Sequence, residues 1–87
     1  MEKLVKMFKS LSCKWRIEII KKLSEGDYCL CELEKEIPVD KTTLSRHIKA
    51  LVDAGLIIQK RTGQRKNLLL NDWKVIDLIN LAKKITG

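Results

Sequence analysis

The apolar residues of this chain change period twice, and that change dictates its architecture. Up to Gly55 they recur at helical spacing; from Leu56 to Leu70 they form two strand-like runs around Thr62-Gly63-Gln64; after Asp72 the helical period returns. A helix buries one stripe and a strand alternates its faces, so such a chain must pack several short helices around a small hairpin.

Leu4, Val5, Phe8 and Leu11 define a first helix, and Ile17, Ile20 and Leu23 a second that stops near Gly26, a residue suited to a helix C-terminus. Leu33 and Ile37 mark a short third helix. Asp40 is a good N-cap for a fourth, which runs to Gly55 with Leu44, Ile48 and Leu51 on its apolar stripe. The segments Leu56 to Lys60 and Arg65 to Leu70 flank a glycine turn and predict a hairpin. Asn71 or Asp72 then caps a last helix carrying Trp73, Val75, Ile76, Leu78, Ile79, Leu81, Ala82 and Ile85, an apolar surface too wide for one-sided packing. Helices one and five are therefore expected to form a homodimer interface. A single domain spanning residues 1–87 has a small core, which favours added burial from a partner subunit or a metal.

Eighteen Lys and Arg against eleven Asp and Glu give a formal charge of +7, which suits a polyanion such as nucleic acid. No apolar run approaches the roughly 20 residues of a membrane span, and no secretion signal is evident, so a soluble cytoplasmic location without membrane contact is expected. There is no glycine-rich phosphate loop, and the single histidine lacks an evident nucleophilic partner, which argues against an enzyme and a catalytic cofactor.

On the fourth helix Thr42, Ser45, Arg46 and Lys49 fall at i, i+3, i+4 and i+7, one polar and basic face beside the Leu44, Ile48 and Leu51 stripe. Such a face fits a DNA major groove, with Arg46 suited to guanine and Lys41, Thr42, Thr43 and Ser45 to bases or phosphates. A short turn around Pro38 joins helices three and four, as a helix-turn-helix requires. Lys60, Arg61, Gln64, Arg65 and Lys66 surround the hairpin tip, where a wing lies along the DNA backbone. His47 sits off the centre of this face and suits a phosphate or structural hydrogen bond better than metal ligation. The plainer alternative is a solvated basic face on a helix that only covers the core.

Three cysteines, two of them one residue apart, make a poor disulfide framework and a plausible thiolate site. Cys31-Glu32-Leu33-Glu34 has the form of a capping box with Cys31 as N-cap, where the helix N-terminus favours a thiolate. If Tyr28-Cys29-Leu30-Cys31 is extended up to that cap, the two sulfurs face the same way; inside a helix they would diverge. A bridge between residues so close in sequence is expected to be strained. Soft ligands favour zinc, cadmium, cuprous copper or trivalent arsenic, and normally three or four donors. The alternative is that both cysteines are small packing residues.

Together these segments resemble the ArsR/SmtB family of winged helix-turn-helix repressors. Phe8-Lys-Ser-Leu11 with Arg16-Ile-Glu-Ile-Ile20 is similar to the family's opening, Tyr28-Cys-Leu-Cys-Glu-Leu33 to its thiol box, and Thr43-Leu-Ser-Arg-His-Ile-Lys-Ala-Leu51 with Asp53-Ala-Gly-Leu56 to its recognition helix. The resemblance implies a mainly α fold of about five helices plus a wing. It also implies a homodimer on a double-stranded, palindromic operator, released when a soft metal or metalloid ion binds Cys29 and Cys31. The family's arsenic-type pattern has a further cysteine where this chain has Glu34, which leaves Cys13 as the candidate third donor; structural packing or capping is its competing role. The family's other site, on the last helix, uses histidines as well as carboxylates; here Asp72 and Asp77 have no histidine beside them in the sequence. The alternatives to ion sensing are a thiol-redox regulator and a winged-helix protein-interaction module.

Overall fold

The computed structural model describes residues Met1–Gly87. Along the chain run α1 (Glu2–Ser10), α2 (Lys14–Leu23), β1 (Tyr28–Cys29), α3 (Leu30–Glu36), α4 (Lys41–Asp53), β2 (Ile57–Thr62), β3 (Arg65–Leu70) and α5 (Lys74–Thr86). Five helices thus surround a three-stranded antiparallel sheet of order β1-β3-β2. The expected hairpin is present, with Thr62 opposite Arg65 so that Gly63 and Gln64 form a two-residue turn. Gly63 has φ +61° and no other residue of the turn has positive φ, the pattern of a II′ turn, whose twist matches that of the strands. The added strand is β1, with Tyr28 opposite Leu68 and Cys29 opposite Asn67.

The α3–α4 connection is short and follows from local chemistry. Ile37 is extended (φ −97°, ψ 115°) because the ring of the following Pro38 disfavours the helical region. The Val39 amide returns to the Ile37 carbonyl at 2.8 Å, and Asp40 (φ −69°, ψ 162°) stands at the N-cap of α4. At the other end of α4, the Leu56 amide bonds Leu51 O at 3.0 Å and the Gly55 amide bonds Val52 O at 3.0 Å. Gly55 has φ +79°, which completes a Schellman stop and turns the chain into β2. Asn71 closes the base of the hairpin, donating its side chain to Gly55 O at 2.8 Å and its amide to Leu56 O at 3.0 Å. The N-cap residue of α5 is Trp73 rather than the expected Asn71 or Asp72, and Asp72, one residue earlier, accepts the Lys74 amide on its Oδ1 at 2.9 Å.

The core gathers Ile19, Ile20 and Leu23 of α2, Leu33 of α3, Leu44, Ile48 and Leu51 of α4, and Ile57, Leu68 and Leu70 of the sheet. α5 adds only Val75 and Ile79. Its outer residues Leu81 and Ile85 are 59% and 82% exposed, and on α1 Leu4, Val5 and Phe8 are 49%, 44% and 50% exposed. Between these helices lies an apolar groove of ≈ 330 Å³ lined by Phe8, Leu11, Ile17, Leu78, Ile79 and Ala82. No helix is long and apolar enough to cross a membrane.

Candidate nucleic-acid interface and thiol pair

Burial of Leu44, Ile48 and Leu51 fixes the rotation of α4 and turns its other face outward. Lys41, Thr42, Ser45, Arg46 and Lys49 are exposed, and Thr43 is half-buried. The Asp40 carboxyl makes no side-chain capping bond of ordinary geometry. Thr43, through its side chain and then its amide, nevertheless holds that carboxyl below its ordinary pKa. Lys41 lies 3.8 Å from Glu34, and Lys49 3.5 Å from Asp53. Arg46, Lys60, Arg61 and Lys66 make no ion pair within the subunit, so their charges are available to an external anion. Arg61, Gln64 and Arg65 are exposed on the wing and Lys66 is half-buried. A cleft of ≈ 370 Å³ separates α4 from the wing, with Ser45 and Lys49 on one wall and Gln59 and Lys66 on the other. α4 and the wing therefore flank one basic surface.

His47 is turned away from that face. Its Nδ1 accepts a hydrogen bond from Arg16 Nε at 3.0 Å, and its Nε2 lies 3.9 Å from Cys13 Sγ. Accepting at Nδ1 requires the neutral tautomer protonated at Nε2. His47 thus belongs to the seam between α2 and α4. Burial, and then the Arg16 charge, lower its pKa below the ordinary histidine value.

This seam predicts a pH dependence. Because the folded-state pKa lies below the unfolded value of about 6.5, the unfolded chain binds the proton first as pH falls. The contribution of neutral His47 is complete above pH of about 6.5 and is lost as pH falls toward the folded-state pKa. The urea midpoint should decline between pH 7.5 and 5.5, and His47→Gln should flatten that decline. An equal slope in the variant would assign the dependence to other groups.

The thiol pair lies where β1 passes into α3, and here the sequence expectation needs correction. Cys29, not Cys31, is the N-cap (φ −78°, ψ 150°). Its Sγ accepts the Cys31 amide at 3.0 Å, while its own amide donates to Glu32 Oε1 at 2.9 Å. Cys29-Leu-Cys-Glu32 is therefore the capping box. Only Tyr28 and Cys29 are extended, and Leu30 already opens the helix. The sulfurs converge even so, because an N-cap side chain folds over the first turn, where Cys31 stands. They come together with Cα atoms 5.2 Å apart, a separation that allows the two thiols to share a ligand. Cys29 is 2% exposed and Cys31 is at the surface. Beside them opens a cleft of ≈ 500 Å³, bounded also by Glu34, Gln64, Arg65 and Lys66.

Cys13 does not complete this site within one subunit. It is the N-cap residue of α2, without a side-chain capping bond, and it faces His47 on α4. No three His, Cys, Asp or Glu side chains assemble into a cation site. The donor set that the fold brings together is two sulfurs, which suits a thiophilic ion and provides no third protein ligand from the same subunit.

One feature of the site was not visible in the sequence. Glu32 Oε1, which accepts the Cys29 amide, also accepts Arg65 Nη2 from the wing at 3.3 Å, and Arg65 Nε donates to Asn67 Oδ1 at 2.9 Å. Residues 33 positions apart meet here, and no local spacing signals such a pair.

Residues 13–59 match the model of the family described as "Bacterial regulatory protein, arsR family". The chain is 36% identical over 74 residues to an arsenical resistance operon repressor of Staphylococcus xylosus, covering 85% of this chain and 70% of that one. It is 32% identical over 78 residues to a cadmium resistance transcriptional regulatory protein CadC homolog of Staphylococcus aureus, covering 88% of this chain and 64% of that one. Among solved structures, the homodimeric winged helix-turn-helix DNA-binding domain of a possible ArsR-family regulator from Mycobacterium bovis superposes with a TM-score of 0.85 at 22% identity, covering 98% of this chain and 79% of that one. The transcriptional repressor BigR of Xylella fastidiosa superposes with a TM-score of 0.83 at 26% identity, covering 99% of this chain and 88% of that one. The chain belongs to the arsR family of bacterial regulatory proteins, winged helix-turn-helix DNA-binding transcriptional regulators rather than enzymes.

Proposed function

We propose that this protein is a homodimeric repressor whose operator affinity falls when a soft metal or metalloid ion is taken by Cys29 and Cys31. The observation that carries the reading is the convergence of the two sulfurs at the start of the helix-turn-helix, beside Gln64, Arg65 and Lys66 near the tip of the wing. An ion bound there supplies a link between two thiolates. The chain's own residues do the rest: Cys29 holds the first turn of α3, and α3 and the wing carry any rearrangement to the DNA-facing surface. Relatives named for arsenical and cadmium resistance support an ion of this class. The exposed faces of α1 and α5, with the apolar groove between them, are the surface through which two copies pair.

On the operator, Arg46 reads a base edge from the middle of α4, with Thr42, Ser45 and Lys49 beside it and Lys41 and Thr43 at the helix start. Arg61, Gln64, Arg65 and Lys66 of the wing follow the backbone. Arg46→Ala should cost about 1–3 kcal/mol in operator affinity and relax sequence preference at one position. Lys66→Ala should weaken binding to all sequences alike and lower the salt slope by about one unit. Anisotropy titrations over a salt series distinguish the two. Indifference of binding to both substitutions would remove α4 and the wing from the DNA interface.

A redox reading draws on the same sulfur contact. Two thiols that give up two protons and two electrons to an oxidant such as peroxide form the bridge without any ion. Loss of operator binding on peroxide treatment in metal-free buffer, restored by a reductant, would select this reading over ion binding.

A further inference from the structure

We propose that Glu32 is the positioning residue that couples the thiol pair to the wing, through its hold on Arg65; the inference rests on the reading of Cys29 and Cys31 as the effector site. The contacts form a closed ring. The Cys29 amide and Arg65 Nη2 donate to the same oxygen, Glu32 Oε1, at 2.9 and 3.3 Å. Arg65 Nε donates to Asn67 Oδ1 at 2.9 Å, and Asn67 is the residue opposite Cys29 in the β1–β3 pairing. The capping box, the first strand and the tip end of β3 therefore share one carboxylate.

That carboxylate is placed to move with the thiols. Cys29 Sγ holds the Cys31 amide at 3.0 Å, and a ligand on Cys29 competes for the sulfur that makes this bond. When the bond goes, the first turn of α3 loses its cap and Glu32, three residues into the box, shifts with it. Arg65 then loses its fixed partner at the point where β3 leaves the wing tip. Both Glu32 and Arg65 are largely exposed, so the pair adds little to stability. Its role is to set where the wing points.

The test uses the full-length chain with cadmium ion as the probe. In the parent protein, cadmium uptake by the thiols, followed through its charge-transfer absorption, should shift the Arg65 side-chain Nε–H resonance and release the operator. Glu32→Gln retains a residue compatible with a capping box but loses the charge that holds Arg65. It should take up cadmium as the parent does but bind operator, already without ion, with an affinity closer to that of the cadmium-loaded parent, so that its release ratio falls about fivefold or more and its Arg65 resonance no longer responds. An unchanged release ratio with cadmium bound would overturn the proposal.

An ion-free arm separates this from failure of the effector site. Cys29→Ala removes the sulfur acceptor and should move the Arg65 resonance, whereas Cys29→Ser restores a capping oxygen and should return it toward the parent position. In the Glu32→Gln background Cys29→Ala should leave Arg65 unmoved. An Arg65 resonance indifferent to Cys29→Ala in the parent background would refute the link; absence of cadmium uptake by the parent would refute only the effector assignment.

Discussion

Phe8→Lys should convert the protein to a folded monomer and weaken operator binding by about a hundredfold or more. Phe8 is 50% exposed in the subunit and lines the apolar groove between α1 and α5, so the substitution removes no core contact of the isolated fold. It does place a charge where the second copy would bury an aromatic ring, and burying an unpaired charge is strongly unfavourable. Two linked reading heads gain on the order of 10²–10⁴ in avidity over one, and the monomer forfeits that gain. Sedimentation at micromolar concentration and operator titration provide the two readouts. A dimer of parental stability would move the interface elsewhere.

Leu51→Ala should destabilise the fold by about 2–5 kcal/mol. Leu51 is fully buried on α4 within the cluster that joins α2, α3 and the sheet, and its carbonyl accepts the Leu56 amide in the stop that ends the helix. The loss is a large part of the roughly 5–15 kcal/mol that holds a typical domain together. Urea unfolding at fixed protein concentration measures it, since dimerisation makes apparent stability concentration-dependent. Val52→Ala, one residue along at a partly exposed position, serves as the comparison and should cost far less. Equal effects of the two would mean that α4 is not rotated as described.

Both expectations depend on the orientation of helices, and that much is legible in the sequence. The stripe Leu44, Ile48, Leu51 reports a buried face, as do Ile20 and Leu23, although Ile19 rather than Ile17 completes the core face of α2; Asp40 and Gly55 mark the ends of α4 because capping and left-handed backbone have strong residue preferences. Gly63 marks the hairpin turn for the same reason. β1 is different: two residues carry no period, and Tyr28–Cys29 becomes a strand only because β3 offers it partners.

The cap of α3 lies two residues before the expected Cys31 because the sequence contains two overlapping boxes, Cys29-Leu-Cys-Glu32 and Cys31-Glu-Leu-Glu34. Local chemistry favours neither. The sheet pairing of Cys29 and the reach of Glu32 to Arg65 select the first. The engagement of Cys13 by His47 spans 34 residues and is equally beyond the reach of local spacing. Long-range contacts thus decide the details of the thiol site, while periodicity decides the scaffold that carries it.

The central claim is that a soft ion at Cys29 and Cys31 lowers operator affinity. Its most direct test is operator anisotropy at fixed salt with fully reduced protein, with and without arsenite, cadmium, zinc or cuprous ion, for the parent and for the Cys29→Ser, Cys31→Ser double variant. The account predicts a loss of affinity of about 5–150-fold with at least one ion, absent in the double variant, which still binds the operator ion-free. Tight binding by the parent that no thiol-binding ion disturbs would contradict it.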